Sequence, residues 1–140
     1  MQSEEVRRRV EERIARGRTD GFHQVFGFRT VSYGDGKARI EMDVTPAVEN
    51  LSGFLHGGAV ASLVDYAGTI ATLTIDREGR HGVTTDLHVT YLAPSPDGAT
   101  VVADATVLKA GKTLAFVTVD VRRAADGVLV AQGQMTKLQG

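Results

Sequence analysis

The chain contains no cysteine, which excludes a disulfide framework, a thiol nucleophile and any cysteine-based metal site. It also lacks a long hydrophobic run. No apolar stretch reaches the roughly 18 residues that a membrane span needs. Charge of one sign is missing too, since the formal net charge is −1, and neither nucleic acid nor an anionic membrane is an expected partner. The opening "MQSEEVRRRVEERIARGR" has no apolar centre and interleaves glutamates among its arginines. It therefore reads as neither a secretory signal nor a transit peptide, and the cytoplasm is the expected location. His23, His56, His81 and His88 show no metal-binding spacing, so no metal is expected. A G-x-S-x-G elbow, a Walker loop and a dinucleotide fingerprint are likewise missing.

What is present is globular. Hydrophobic residues make up 42% of the 140 and charged residues 24%, which suits one domain over residues 1–140 with a sizeable core. Val6, Val10 and Ile14 recur every four residues among charges, the mark of a short amphipathic helix in an N-terminal extension over 1–20. Its arginines read as a solvated face or, less simply, as phosphate grips. After a break at Gly17–Gly21, "FRTVSYGDGKARIEMDV" alternates on both sides of a Gly-Asp-Gly turn and reads as a hairpin. Pro46 ends its second strand.

From Gly57 to about Ile75 the small and apolar residues form a run too long for a strand. Ala59, Leu63, Ala67, Ile70 and Leu73 have helical spacing, so a mostly buried helix is expected, closed by "DREGRHG". Four strand-like runs follow: "VTTDLHVTYLA", "TVVADATVLKA", "TLAFVTVDVRRA" and "VLVAQGQMTKL". Their turn signals suggest an antiparallel meander. The fold class is therefore α+β: one long helix wrapped by about six antiparallel strands, plus the short N-terminal helix.

The chemistry concentrates in "NLSGFLHGGAVASLVD", residues 50–65. Gly57 and Gly58 fall at the helix start, where the first N–H groups lack intrahelical partners and the dipole end is positive. Such a terminus serves as an oxyanion or phosphate site, or simply as a tight turn into a helix. Asn50 is a turn residue or an amide donor beside that terminus. His56 can orient it, act as a base, or bond the loop.

Asp65 lies among Leu63, Val64, Ala67 and Ile70. An unpartnered buried carboxylate is costly, so Asp65 occupies either an exposed stripe or a site for a general base or nucleophile. Eight residues of helix separate Asp65 from Gly57 by about 12 Å along the axis. An oxyanion donor and a base must both approach the reacting atoms to about 3 Å. One helix cannot easily do both, whereas two antiparallel copies in a symmetric dimer can.

The strand "VTTDLHVTY" alternates Thr84, Asp86, His88 and Thr90 against Val83, Thr85, Leu87, Val89 and Tyr91, which places the two sets on opposite faces. Thr84 can orient water or substrate, or serve only β-propensity. Lys109 and Lys112 flank a glycine turn as solvated lysines or as phosphate grips.

These motifs together resemble the PaaI-type hotdog-fold acyl-CoA thioesterases, including the animal THEM-type members. The likeness runs from "NLSGFLHGGAVASLVD" through "GVTTDLHVTY", "VLKAGKTLAFVTVDV" and "LVAQGQMTK", nearly the whole chain after the N-terminal helix. It implies a hotdog fold and hydrolysis of an acyl-CoA thioester to a free acid and CoA. By the same resemblance Asn50 and the Gly57 N–H form the oxyanion hole and His56 holds Asn50. Asp65 from the partner subunit is then base or nucleophile, and Thr84 positions the attacking water. Thr84, Asp86, Tyr91, Leu92, Ala93, Pro94, Lys109, Gly111, Lys112 and Thr113 match positions that line the substrate or CoA groove. No cofactor is implied, since CoA is part of the substrate. Members are dimers of dimers, so a homodimer is required and a homotetramer expected. Two other activities share features of this sequence: a hotdog dehydratase or hydratase on 3-hydroxyacyl thioesters, and a non-catalytic acyl-CoA binding domain.

Overall fold

The structure, a computed structural model, describes residues 3–76, 78–80 and 82–139. Its first helix, α1 (Glu4–Thr19), starts where the Ser3 hydroxyl accepts the Val6 N–H, with Glu4 and Glu5 in the first turn and Arg16 and Arg18 in the last. That distribution complements the helix dipole. Val10 is fully buried, and Val6 and Ile14 pack beside the core. Arg7 pairs with Glu11 and Arg8 with Glu12, one turn along, so this part of the arginine cluster is a solvated, internally paired face. The helix continues through Gly17, where a break was expected, and gives way to a 3₁₀ turn over Gly21–Val25.

The hairpin forms as its alternation requires. β1 (Arg29–Gly34) pairs antiparallel with β2 (Lys37–Asp43). Asp35 and Gly36 between them both have positive φ, 51° and 77°, the two-residue turn whose twist matches the flanking strands. β2 then buries Ala38, Ile40 and Met42 and turns its intervening residues outward.

α2 (Gly57–Leu73) is buried over most of its circumference. It lies across β2, β3 (Val83–Tyr91), β4 (Thr100–Ala110), β5 (Leu114–Arg123) and β6 (Leu129–Leu138). Close approach to β6 depends on Gly133: a Cβ there would stand 2.5 Å from Val64 Cγ1. The expected closing turn includes Arg77 and His81, which lie outside the described residues.

All six strands join one antiparallel sheet, in the order β1-β2-β4-β5-β6-β3. The expected meander is therefore only partly correct: β4, β5 and β6 follow one another, but β3 pairs with β6 and forms the far edge. Leu92 and Ala93 still donate to Val130 O of β6, and beyond them the segment leaves that edge. Its Ser95 O accepts the N–H of Leu55 in the loop before α2, and its Gly98 N–H donates to Val44 O beside β2. "PSPDG" is thus a crossing connection and not a hairpin turn.

Candidate active site

The loop entering α2 is shaped around one asparagine. Asn50 Oδ1 accepts the backbone N–H groups of Ser52 and Phe54 at 2.9 and 3.1 Å. Both acceptor positions of that oxygen are then engaged inward, which leaves the amide Nδ2–H₂ as an outward donor. The loop is tied at both ends. Asn50 N–H donates to Phe54 O at 2.7 Å, and His56 N–H donates to Val48 O at 2.8 Å.

His56 is the N-cap of α2, its Nδ1 accepting the Gly58 N–H at 2.8 Å. In this chain it holds the helix start, while loop backbone holds Asn50, the task expected of His56. Capping Gly58 leaves the Gly57 N–H, one residue earlier, among the helix donors with no intrahelical partner. Tyr91 fixes this residue from β3: its hydroxyl donates to Gly57 O at 2.6 Å. A Cβ on Gly57 would meet the Tyr91 ring at 3.3 Å, so glycine lets the aromatic face close on the helix terminus. Asn50, Gly57, Tyr91, Leu92, Ala93 and Pro94 line one groove of about 410 Å³, floored by Leu55, Val60 and Val130.

Asp65 does not line that groove. It sits two turns further along α2, half-buried, and its Oδ1 accepts the Thr84 hydroxyl at 2.7 Å. Thr84 reaches it because of an irregularity that the sequence did not announce. The β3–β6 register pairs Thr84 with Lys137 and then Asp86 with Thr136, leaving Thr85 as an extra residue. Such a bulge reverses the alternation beyond it. Thr84 consequently shares the helix-facing side with Leu87, Val89 and Tyr91. Asp86, His88 and Thr90, expected beside Thr84, turn to the other face.

One member of this cluster had not been singled out. Lys137 is only 4% exposed, and its Nζ donates to Thr69 Oγ1 at 2.9 Å. The Thr69 hydroxyl in turn donates to Asp65 O at 2.8 Å. Burial pushes the Lys137 ammonium below the ordinary lysine range; the Asp65 charge opposes that shift and Arg13 adds to it. His23, beside Tyr66, is also lowered, by burial first and by Arg13 second, with Asp65 again opposing. The signal in the sequence was available: Ala131, Gly133, Met135 and Lys137 occupy the inward positions of β6.

The turn Lys109–Thr113 lies elsewhere. Gly111, Lys112 and Thr113 border a cleft of about 500 Å³ with Ile75, Asp76, Arg80 and Gln139, beyond the C-terminal end of α2. A helix of 17 residues is about 26 Å long, so within one chain this turn and the Tyr91–Pro94 stretch stand at opposite ends. Among the described residues no three His, Asp or Glu are grouped to hold a metal ion; His81 is outside that set.

A glycine helix terminus and an asparagine border one groove, with a threonine-anchored carboxylate further along the same helix. Residues 52–136 match the thioesterase superfamily. The chain belongs to this superfamily. It is 46% identical over 120 residues to acyl-coenzyme A thioesterase 13 of Homo sapiens, covering 85% of each chain. Its structure superposes on zebrafish thioesterase superfamily member 2 with a TM-score of 0.86 and 38% identity, covering 93% of this chain and 96% of the other. A third relative is the phenylacetic acid degradation protein PaaI of Thermus thermophilus, with a TM-score of 0.78, 26% identity, and coverage of 86% of this chain and all of that one. The helix wrapped by an antiparallel sheet is accordingly the hotdog fold of these thioesterases. No helix among the described residues is long and apolar enough to cross a membrane.

Proposed function

We propose that this superfamily member hydrolyses an acyl-CoA thioester at a site assembled across a dimer, using Asn50 and Gly57 of one protomer and the Asp65–Thr84 pair of the other. The carrying observation is the separation of two halves on one rigid helix. The groove holds Asn50 and Gly57, while Asp65 and Thr84 meet at 2.7 Å away from it. The 46% identity to an acyl-coenzyme A thioesterase over most of both chains supports the substrate class.

In this scheme the thioester oxygen lies between the Asn50 Nδ2–H and the Gly57 N–H, whose preorganised dipoles stabilise the charge that develops there. Asp65 either removes a proton from water as it attacks the carbonyl carbon, or attacks that carbon itself to give an anhydride that water then opens. Either way the C–S bond breaks, the sulfur leaves as thiolate and takes up a proton, and the acid and CoA are released. Thr84 orients the carboxylate and the water beside it. No cofactor enters.

CoA would run along Tyr91–Pro94 of one protomer, with Lys109, Gly111, Lys112 and Thr113 contributed by another, since one chain holds the two segments at opposite ends. Asp86, turned away from Thr84, would contribute only from the other sheet face. A dimer is thus required, and a dimer of dimers and a cytoplasmic location complete the proposal.

Hydrolysis of an aryl- and alkanoyl-CoA panel by wild type, Asn50→Asp and Asp65→Asn tests the scheme. Each variant alone should be nearly inactive, and mixing the two should restore part of the activity through hybrid dimers with one intact site. A fully active Asp65→Asn protein would refute the role of the carboxylate. Failure of rescue after demonstrated subunit exchange would refute the shared site.

A further inference from the structure

Among the described residues Lys137 is the one buried lysine or arginine, it faces the side of α2 that carries Asp65, and the mechanism above makes no use of it. Its position is specified from two directions. In the sheet it stands directly opposite Thr84, the residue whose hydroxyl anchors Asp65 Oδ1. On the helix its ammonium bonds the hydroxyl of Thr69, one turn beyond Asp65, and that hydroxyl bonds the Asp65 carbonyl. A threonine hydroxyl has one proton and two lone pairs. Having given its proton to Asp65 O, Thr69 can only accept, and an ammonium is the donor that suits it.

We propose that Lys137 is a positioning residue for the Asp65 carboxylate, fixing the Asp65–Thr69 turn of the helix and supplying a buried counter-charge beside it. Thr84 and Lys137 then hold the carboxylate from adjacent strands: one through Oδ1, the other through the backbone turn and the field. Oδ2 is the oxygen left to meet water or the thioester carbon. The proposal rests on the reading of Asp65 as base or nucleophile.

The charge balance around Lys137 is uneven. Asp65 on α2 attracts the ammonium, and Arg13 on α1 repels it. Thr69 on α2 and Thr84 on β3 are uncharged, as is Ala115, opposite on β5. His23, packed on Tyr66, lies within the fields of the same Arg13 and Asp65. Burying an ammonium in such a place is unfavourable unless an anion compensates. Asp65 is the compensating group, and geometry couples the two.

The test compares hydrolysis of an accepted acyl-CoA by the full-length wild type, Lys137→Met and Asp65→Asn from about pH 6 to about pH 10, where a depressed lysine titrates. Lys137→Met should lower kcat about tenfold at neutral pH, the value of a hydrogen bond to a charged group, and leave KM unchanged. The wild-type kcat should fall on the alkaline side as Lys137 loses its proton and converge on that of Lys137→Met, whose profile lacks this limb. A wild-type kcat in Lys137→Met, or the same alkaline limb in both proteins, would overturn the proposal.

An active Asp65→Asn protein would instead remove the reading beneath it, so the two failures are distinguishable. If Lys137→Met does not fold, carbon-13 NMR of the Lys137 Cε answers the question. Its titration should lie below the usual lysine range in wild type and move lower still in Asp65→Asn. An unmoved titration would reject the coupling.

Discussion

Thr84 on the edge strand donates its hydroxyl to Asp65 on the central helix at 2.7 Å, and a β-bulge one residue later makes that contact possible. Without the extra residue, Thr84 and Tyr91 would lie on opposite faces of β3, and only one could reach α2. With it, Thr84 meets Asp65 and Tyr91 meets Gly57. A single strand irregularity therefore aligns both halves of the proposed site on one helix.

Thr84→Val keeps the shape and removes the hydroxyl. It should lower kcat by about 10- to 100-fold, the value of a hydrogen bond to a charged acceptor, whereas Thr84→Ser should retain most activity. Steady-state kinetics on both variants check this, and equal losses would contradict a role for the hydroxyl.

Asn50→Asp is the sharpest test of the amide donor. Aspartate keeps an oxygen for the Ser52 and Phe54 N–H groups and so preserves the loop. It removes the outward N–H, and kcat should fall by about 100- to 1000-fold, as for other oxyanion donors. An effect confined to KM would argue against an oxyanion role.

Tyr91→Phe leaves the ring on Gly57 but cancels the bond to its carbonyl. Loss of one such bond costs about 1 kcal/mol. Denaturant midpoints should register that, accompanied by a lower kcat as the helix terminus gains freedom. Unchanged stability and rate would make the hydroxyl dispensable.

Gly133→Ala places a methyl group where Val64 Cγ1 would be 2.5 Å away. Val64 is fully buried and branched at Cβ, so the helix must shift outward from β6. Overpacking of this kind costs about 1–3 kcal/mol, and thermal unfolding should show a lowered Tm. A wild-type Tm would mean that the α2–β6 seam yields freely.

Asp76 gives the pH dependence of stability. Burial raises its pKa, but bonds from the Arg80 side chain and backbone N–H outweigh burial and bring it below the ordinary carboxylate value. A carboxyl lowered on folding stabilises the native state fully above its unfolded pKa of about 3.9, and that contribution disappears as pH falls through the lowered folded value. The stability gap between wild type and Asp76→Asn in urea titrations should be constant from neutral pH to about pH 5 and shrink below about pH 4. A gap independent of pH would exclude this pair as its source.

Elements with an unbroken period were legible in the sequence. The 3.6-residue spacing over Gly57–Leu73 and the alternation around Asp35-Gly36 each identify one element, because local pattern and burial agree there. Asn50, Gly57 and Asp65 stood out only as candidates, each being a polar or glycine residue at the entry to or within an apolar helical run.

What failed had a common cause. The meander and the two faces of β3 both assume that neighbours in sequence are neighbours in the sheet with uninterrupted alternation. The crossing connection breaks the first assumption and the bulge at Thr85 breaks the second. Lys137 was missed because a lysine near a chain end ordinarily keeps its ammonium in water.

The sequence by itself determined the long apolar helix, the number of strands and the eight-residue spacing of Gly57 and Asp65, since these follow from periodicity and helical rise. Only the tertiary structure decided which strand edges the sheet, that His56 caps the helix while loop backbone holds Asn50, and that Thr84 and Lys137 converge on Asp65. The contacts that gather Thr84 and Lys137 there join residues 19 and 68 positions apart. Packing in three dimensions fixes them, and no local pattern records it.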